Sequence, residues 1–110
     1  MFMGRTPGKN SSVGLEVQAR MRIEGTLRDG LKGPEFKASD NNWYPLKDAD
    51  MSHITPAVKW WNETGRYYGP KAPEVRAWMR DSSNYRLDHL RINRAEGPTL
   101  PRYLNAVSKD

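Results

Sequence analysis

The segment from Asp50 to Pro56 places the tightest constraint on the fold, because a short hydrophobic strand must end within it. Asp50 and His53 belong to this strand, and Thr55-Pro56 follows it as a typical helix start, with the threonine as cap. We therefore expect the His53 ring to lie at the mouth of the fold rather than in its core. A carboxylate and an imidazole this close can hold a metal ion and deprotonate a water molecule beside it.

The composition predicts one small domain with one modest core. The chain has 110 residues, of which 36% are hydrophobic and 28% are charged, and its formal charge is +5. A basic domain favours a polyanionic partner such as nucleic acid or an anionic membrane, although a merely basic surface is an open alternative. No membrane binding is expected, because the sequence has no apolar run of spanning length and no lipidation signal.

The sequence contains no cysteine, which excludes disulfides and thiolate zinc sites. No signal peptide is visible at the first residues, so we expect either a cytosolic protein or part of a protein exported by another route. Residues 1–12 lack periodicity and predict an arm that is flexible or laid along the domain, as in a cut through a longer polypeptide. Residues 13–110 form the predicted domain.

The first half of the domain predicts a helix followed by a hairpin. The helix is capped by Ser12 and stopped by Gly25, with an apolar face of Val13, Val17 and Met21 that is widened by Leu15, Ala19 and Ile23. Residues 25–34 are typical of a glycine-rich connection. Residues 36–38 and 43–46 then predict a hairpin around the turn at 40–42, with Pro45 on an edge strand.

The second half predicts short helices around one more strand. The helix after Thr55 runs to about Thr64 with Gly65 as its stop, and a second helix starts at Pro73. Residues 85–88 are extended, a short helix covers residues 89–96, and the tail forms a packed strap around Leu100, Tyr103 and Leu104. The predicted fold class is α+β.

The order of the polar residues adds a second kind of information. It runs Asp-x-x-His-Ile-x-Pro from Asp50, then Asn84-Tyr85-Arg86-Leu87-Asp88, then Asn93-Arg94-Ala95-Glu96-Gly97. This order resembles the HNH, or His-Me finger, nucleases. With GRTPGKNSSVGLEVQARMRIEG, WWNETGRYYG, EVRAWM and INRAEG, it is similar to the GH-E subgroup of the HNH/endonuclease VII superfamily, from about Gly4 to Tyr103. That subgroup supplies C-terminal toxin modules of bacterial polymorphic toxins, including Rhs-type and type VI secretion effectors.

The resemblance implies a ββα core around one divalent ion and assigns residues to it. The histidine of the family motif falls on His53, the acidic member on Asp88 and the closing asparagine on Asn93. Two positions depart from the family pattern. Ser52 stands where Gly or Ala is usual, which could alter how closely phosphate approaches. Asp88 stands where Glu is common, so its carboxylate is one methylene shorter.

Phosphodiester hydrolysis gives these residues roles. A neutral imidazole, with an ordinary pKa near ~6.5, can take the proton from the attacking water, so His53 is the predicted general base. Asp50, Asp88 and Asn93 are the candidate oxygen ligands of Mg²⁺ or Mn²⁺, and a mixed set with histidine could also take Zn²⁺ or Ni²⁺. Capping of the strand-to-helix turn is an equal alternative role for Asp50, and Asn84 is predicted to clamp its loop.

The predicted substrate contacts are cationic and independent of base sequence. The candidate residues are Arg86, Arg91, Arg94, Lys59 and Arg66. The leading hypothesis is a largely nonspecific DNA endonuclease that is exported within a larger effector by a specialised secretion system and acts in the target-cell cytoplasm. The resemblance also implies an immunity protein, which we expect to be acidic. An RNase toxin and a catalytically inactive nucleic-acid-binding module are the alternatives.

Overall fold

A computed structural model describes residues 3–107 of the chain, and these residues form an α+β domain, as predicted. The helices are α1 (Ser12–Glu24), α2 (Ala57–Trp60), α3 (Arg66–Tyr68), α4 (Pro73–Arg80) and α5 (Leu90–Glu96), and the strands are β1 (Leu27–Gly30), β2 (Gly33–Lys37), β3 (Trp43–Pro45), β4 (Ala49–His53) and β5 (Tyr85–His89). An antiparallel sheet has the order β1-β2-β3, and β4 pairs with β5 in a second antiparallel sheet. Among residues 3–107, no helix is both long and apolar enough to cross a membrane.

The β4–β5 pair and α5 form a strand–strand–helix unit of the kind that the resemblance implies. The register runs from Ala49 opposite His89 to His53 opposite Tyr85. The helix α5 begins directly after β5 and packs against both strands. The helix therefore starts at the end of the strand pair that holds Ala49, whereas His53, the last residue of β4, stands at the other end opposite Tyr85.

The helix α1 covers the main core, but with a narrower apolar face than predicted. Its cap is Ser11, whose Oγ accepts a hydrogen bond from the Gly14 backbone N–H at 3.1 Å, rather than Ser12. Val13, Val17 and Met21 are buried, as expected. The predicted widening residues Leu15, Ala19 and Ile23 are exposed, because a step of two residues turns about 200° around a helix and reaches the opposite side.

The predicted hairpin is confirmed, but the glycine-rich connection before it contains a strand that the sequence did not indicate. Residues 27–30 form β1, and Leu27 is buried opposite Phe36 of β2. Asp29 and Gly30 have low strand propensity, which hid this strand. Pro45 lies in β3 at the edge of the sheet, as expected.

Gly65 does not end the helix that starts after Pro56. A π-helical turn over Trp61–Gly65 joins α2 to α3, Gly65 itself has a helical φ of −62°, and the chain leaves the helix at Gly69, where φ is 107°. A Cβ on Gly65 would lie 2.6 Å from Cζ3 of Trp60. Glycine is therefore needed here to make room for an indole rather than to turn the chain.

Both ends of the described chain lie along the domain. Met3 is buried in a second apolar cluster with Trp61, Val75 and Met79. The tail is a strap, as predicted, but backbone groups fasten it: Trp61 Nε1 donates to the Leu104 carbonyl at 2.6 Å, and the Val107 N–H donates to the Arg66 carbonyl at 2.8 Å. The side chains of Tyr103 and Leu104 are largely exposed.

Gly65→Ala is expected to lower the free energy of unfolding by up to about 2 kcal/mol. Overpacking against Trp60 costs about 1 to 3 kcal/mol, and the higher helix propensity of alanine returns about 1 kcal/mol. Gly97→Ala is the matched control, since Gly97 has a right-handed φ of −49° and open space around a new Cβ. Urea unfolding should show no loss of stability for Gly97→Ala, and an equal or greater stability of Gly65→Ala would contradict the packing argument.

Candidate active site

The His53 ring is held at the end of β4 by aromatic neighbours. It stacks on Trp78 of α4 with ring centroids 5.5 Å apart and an interplanar angle of 8°, and it tilts against Tyr85 of β5 at 4.6 Å. Trp78 stacks in turn on Trp60 at 4.7 Å. These contacts fix the plane of the imidazole.

The same surroundings keep the imidazole neutral. Burial lowers the pKa of His53 from 6.5 to about 4, because the apolar rings disfavour the charged form. Its Nε2 atom is buried and has no hydrogen-bond partner among the described residues. Buried polar atoms in native proteins are almost always paired, so this nitrogen keeps a hydrogen-bonding capacity that the described residues do not use.

His53 and Asn93 together line two adjoining cavities. The inner cavity, of about 330 Å³, also has Ser52, residues of the N-terminal arm and residues of the tail in its wall. The basic cavity, of about 550 Å³, also has Asp50, Arg94, Lys9 and Lys47 in its wall. His53 of β4 and Asn93 of α5 thus line the same two cavities.

Asp50 points to α5 and connects it with β4. Its Oδ2 atom accepts from Nδ2 of Asn93 at 3.4 Å and from Nε of Arg94 at 3.2 Å, while its Oδ1 atom accepts from Nη2 of Arg94 at 3.4 Å. The bidentate ion pair with Arg94 fixes the orientation of the Asp50 carboxylate. Asp50 is consequently placed in the wall of the basic cavity with its oxygens beside Asn93.

Asp88 lies in a different environment, although it is directly opposite Asp50 in the strand register. It is buried, and its oxygens accept from the Ser39 backbone N–H at 3.0 Å, from Ser39 Oγ at 2.7 Å and from its neighbouring His89 N–H at 2.9 Å. It lines neither cavity that contains His53. The structure does not bring Asp88 together with His53 and Asn93; its carboxylate fastens the turn after β2 to β5.

Ser52 and Asn84 occupy structural positions next to His53. Ser52 is buried and contributes to the wall of the inner cavity. The Asn84 side chain donates to the Trp78 carbonyl at 2.9 Å, and its own carbonyl accepts from the Ile54 N–H at 2.9 Å. Asn84 thereby ties the segment after β4 to the end of α4, which carries the indole under His53.

Of the five predicted substrate-binding cations, the structure places only Arg94 in a cavity with His53. Arg86 is exposed on β5 and pairs with Asp88 at 3.7 Å, whereas Arg91 lines a separate groove with Tyr44. Arg66 donates to the Asn105 carbonyl at 3.0 Å, and Lys59 is exposed on α2 and lines neither cavity.

Sequence reasoning missed Lys9 and Lys47, which both line the basic cavity. Lys9 belongs to the predicted arm, and Lys47 belongs to the 3₁₀ turn just before β4. Lys9 belongs to the GRTPGKNSS block that contributes to the resemblance, and this was the available signal. The arm around Lys9 has no hydrophobic periodicity, so nothing else in the sequence indicated that it contacts the site. Lys47 stands three residues before Asp50, and nothing in the sequence around it distinguishes a lysine at a binding site from a solvent-exposed lysine.

His89 has a structural role. Its Nδ1 atom accepts from the Arg91 N–H at 3.1 Å, which caps α5, and its ring packs on Tyr44 with centroids 4.4 Å apart. An imidazole that caps a helix through Nδ1 must carry its proton elsewhere, on Nε2. His89 therefore serves as an internal control for experiments on His53.

The cavity wall offers a small donor set for a cation. The part of the chain that the structure describes contains no group of three or more His, Cys, Asp or Glu side chains that could hold a metal ion. It does pair the Asp50 carboxylate with the Asn93 amide, beside the imidazole of His53. One carboxylate and one amide oxygen suit Mg²⁺ or Mn²⁺, which keep several waters and share substrate phosphates. These donors fit such an ion if it takes the place of the Arg94 guanidinium and the Asn93 Nδ2 atom beside Asp50.

Comparisons of the chain with protein-family models, with curated proteins and with solved structures give no match.

The proton affinity of His53 is open to direct measurement. By NMR, the His53 ring should titrate with a pKa of about 4, and its signals are identified by their absence in His53→Gln. Because the unfolded chain binds this proton more readily, His53 lowers stability as the pH falls from about 6.5 towards about 4. The loss of unfolding free energy between about pH 7 and about pH 5 should be smaller in His53→Gln. A His53 titration at the ordinary value would contradict the buried environment.

Proposed function

We propose that the chain is a metal-dependent, largely nonspecific DNA endonuclease with His53 as general base. The observation that carries the proposal is that His53, at the end of β4, and Asn93, on α5, face the same two cavities across a strand–strand–helix unit. This is the pairing that the resemblance to His-Me finger nucleases assigns to base and metal ligand. The net positive charge of the chain supports a polyanionic substrate.

His53 supplies the proton acceptor. Because its pKa lies near 4, the proton-accepting form is fully populated at neutral pH. A bound phosphodiester brings negative charge next to the ring, which favours the protonated imidazole and raises its basicity when the substrate is in place. The stacking on Trp78 and the tilted contact with Tyr85 hold the ring plane while the proton moves.

Asp50 and Asn93 are the proposed cation ligands, in preference to Asp88. Rotation of the Asn93 amide about its terminal torsion exchanges its nitrogen for its oxygen, so that Oδ1 can stand beside the Asp50 carboxylate. When bound, a divalent cation stabilises the negative charge that develops on the phosphate and on the leaving oxygen. Asp88 is buried and lines neither cavity that contains His53, and its hydrogen bonds to Ser39 contribute to the fold.

The biological setting follows from the resemblance. We propose that the domain is the toxic part of a larger effector exported by a specialised secretion system, that it acts on DNA in the target-cell cytoplasm, and that the producing cell makes an acidic immunity protein. The cationic side chains around the basic cavity support an acidic inhibitor, since such a protein would cover the same surface as the substrate.

His53→Ala is expected to reduce plasmid cleavage with Mg²⁺ or Mn²⁺ by about a hundredfold or more, because general-base catalysis contributes about 10² to 10⁴ in rate. His89→Ala, which removes the other imidazole, should retain cleavage at temperatures where it stays folded. EDTA should abolish the wild-type activity. Undiminished cleavage by His53→Ala would refute the assignment of the base, and cleavage of RNA alone would replace DNA as the substrate.

A pair of carboxylate variants distinguishes the two candidate acids. Asp50→Asn should abolish metal-dependent cleavage while the protein stays folded, because the site loses its carboxylate in the basic cavity. Asp88→Asn should lower the unfolding free energy by about 1 to 3 kcal/mol, since a buried, hydrogen-bonded carboxylate is disturbed, and should leave cleavage measurable. The reverse pattern in nuclease assays and urea unfolding would return the ligand role to Asp88.

A further inference from the structure

The residues that line the basic cavity carry more positive than negative charge. The residues that line it include three with cationic side chains, Lys9, Lys47 and Arg94, and one with a carboxylate, Asp50. The remaining titratable residue of the lining, His53, is neutral at physiological pH because burial lowers its pKa. Three positive groups and one negative group leave two positive charges around one cavity.

Lys9 is fixed in place rather than free in solvent. Its ammonium group donates to the carbonyls of Leu46 and Lys47, each at 2.9 Å. An ammonium has three donors, so one N–H is left for another acceptor. These two carbonyls belong to the turn that leads into β4, and they hold the charge beside the strand that carries Asp50.

The arm that carries Lys9 is itself seated on α1. The Gln18 side chain donates to the Lys9 carbonyl at 2.9 Å. The backbone of Gly8 and Lys9 passes so close to Gly14 that a Cβ at that position would collide with both carbonyls. Gly14 is therefore required for the close approach, and α1 sets the position of Lys9.

Arg94 retains donors towards the same space. Two of its nitrogens pair with Asp50, and its side chain is 69% exposed. A guanidinium carries five N–H donors in a planar fork, so the Asp50 contacts leave several of them for an anion.

We propose that the basic cavity is the phosphate-binding subsite of the substrate, with Lys9 and Lys47 as its principal contacts and Arg94 as the third. The N-terminal arm is then part of the binding site, and the phosphate recognised is one in the nucleic-acid backbone next to the bond that is cleaved. The identity of the substrate rests on the proposed nuclease function, but the anion site depends only on the geometry of the three cations. Contacts of this type are independent of base sequence and weaken with salt.

The test measures binding without cleavage. A fluorescently labelled single-stranded DNA oligonucleotide is titrated with the protein in EDTA at several salt concentrations. Lys9→Gln and Lys47→Gln should each weaken binding by about three- to tenfold and reduce the slope of log affinity against log salt by about one. Lys32→Gln, in the exposed turn between β1 and β2, is the matched control and should change affinity less than about twofold.

A second variant tests the role of the arm with every lysine present. Gly14→Ala should displace the arm from α1 and weaken oligonucleotide binding as Lys9→Gln does, with the helix content unchanged by circular dichroism. Wild-type affinity and salt slope in both Lys9→Gln and Lys47→Gln would overturn the proposal. Binding that depends on these lysines in a protein that cleaves nothing would keep the phosphate site and refute the nuclease function.

Discussion

The pairing of β4 with β5 is the constraint on which the rest of the structure depends. It buries Met51, Tyr85 and Leu87 against α1, and it sets the point at which α5 begins. Arg20 of α1 fastens this arrangement, since its guanidinium donates to the carbonyls of Ser82 and Tyr85. With the register fixed, His53 must stand opposite Tyr85, and α5 must run beside the strand that carries Asp50.

The structure also gives different surroundings to Asp50 and Asp88, the two carboxylates that the sequence offers as equivalent metal ligands. Asp50 and Asp88 face each other across the strand pair, yet one accepts from the side chains of α5 and the other from Ser39. A buried carboxylate is tolerated only where hydrogen bonds replace its lost hydration, and Ser39 with the His89 N–H supplies them. The Asp50 carboxylate, in the cavity wall, is 26% exposed and pairs with an exposed arginine. We propose that Asp88 serves the fold and Asp50 the chemistry.

The sequence predicted the helices and strands whose ends carry a residue with a strong local preference, such as proline at a helix start. Pro73 at the start of α4, the strand β5 and the short helix α5 after His89 are all in the structure. It failed where packing rather than local preference decides. Gly65 gave the pattern of a helix stop, but it is glycine because an indole lies where its Cβ would be.

The candidate site was predictable in part for the same reason. The resemblance assigned His53 and Asn93 to one site by their places in the motif, and both residues line the same two cavities. The division of roles between Asp50 and Asp88, and the arrival of Lys9 from the arm, depend on contacts between segments about forty residues apart in sequence. No periodicity encodes such contacts, since they follow from how β4, α5 and the arm pack together.

Chemical rescue tests the central claim most directly. His53→Gly removes the imidazole between Trp78 and Tyr85, and free imidazole in solution can enter the space it leaves. If His53 is the base, added imidazole should restore DNA cleavage by His53→Gly in proportion to the concentration of neutral imidazole, and it should not accelerate the wild-type protein. Cleavage by His53→Gly at the wild-type rate without imidazole would contradict the account.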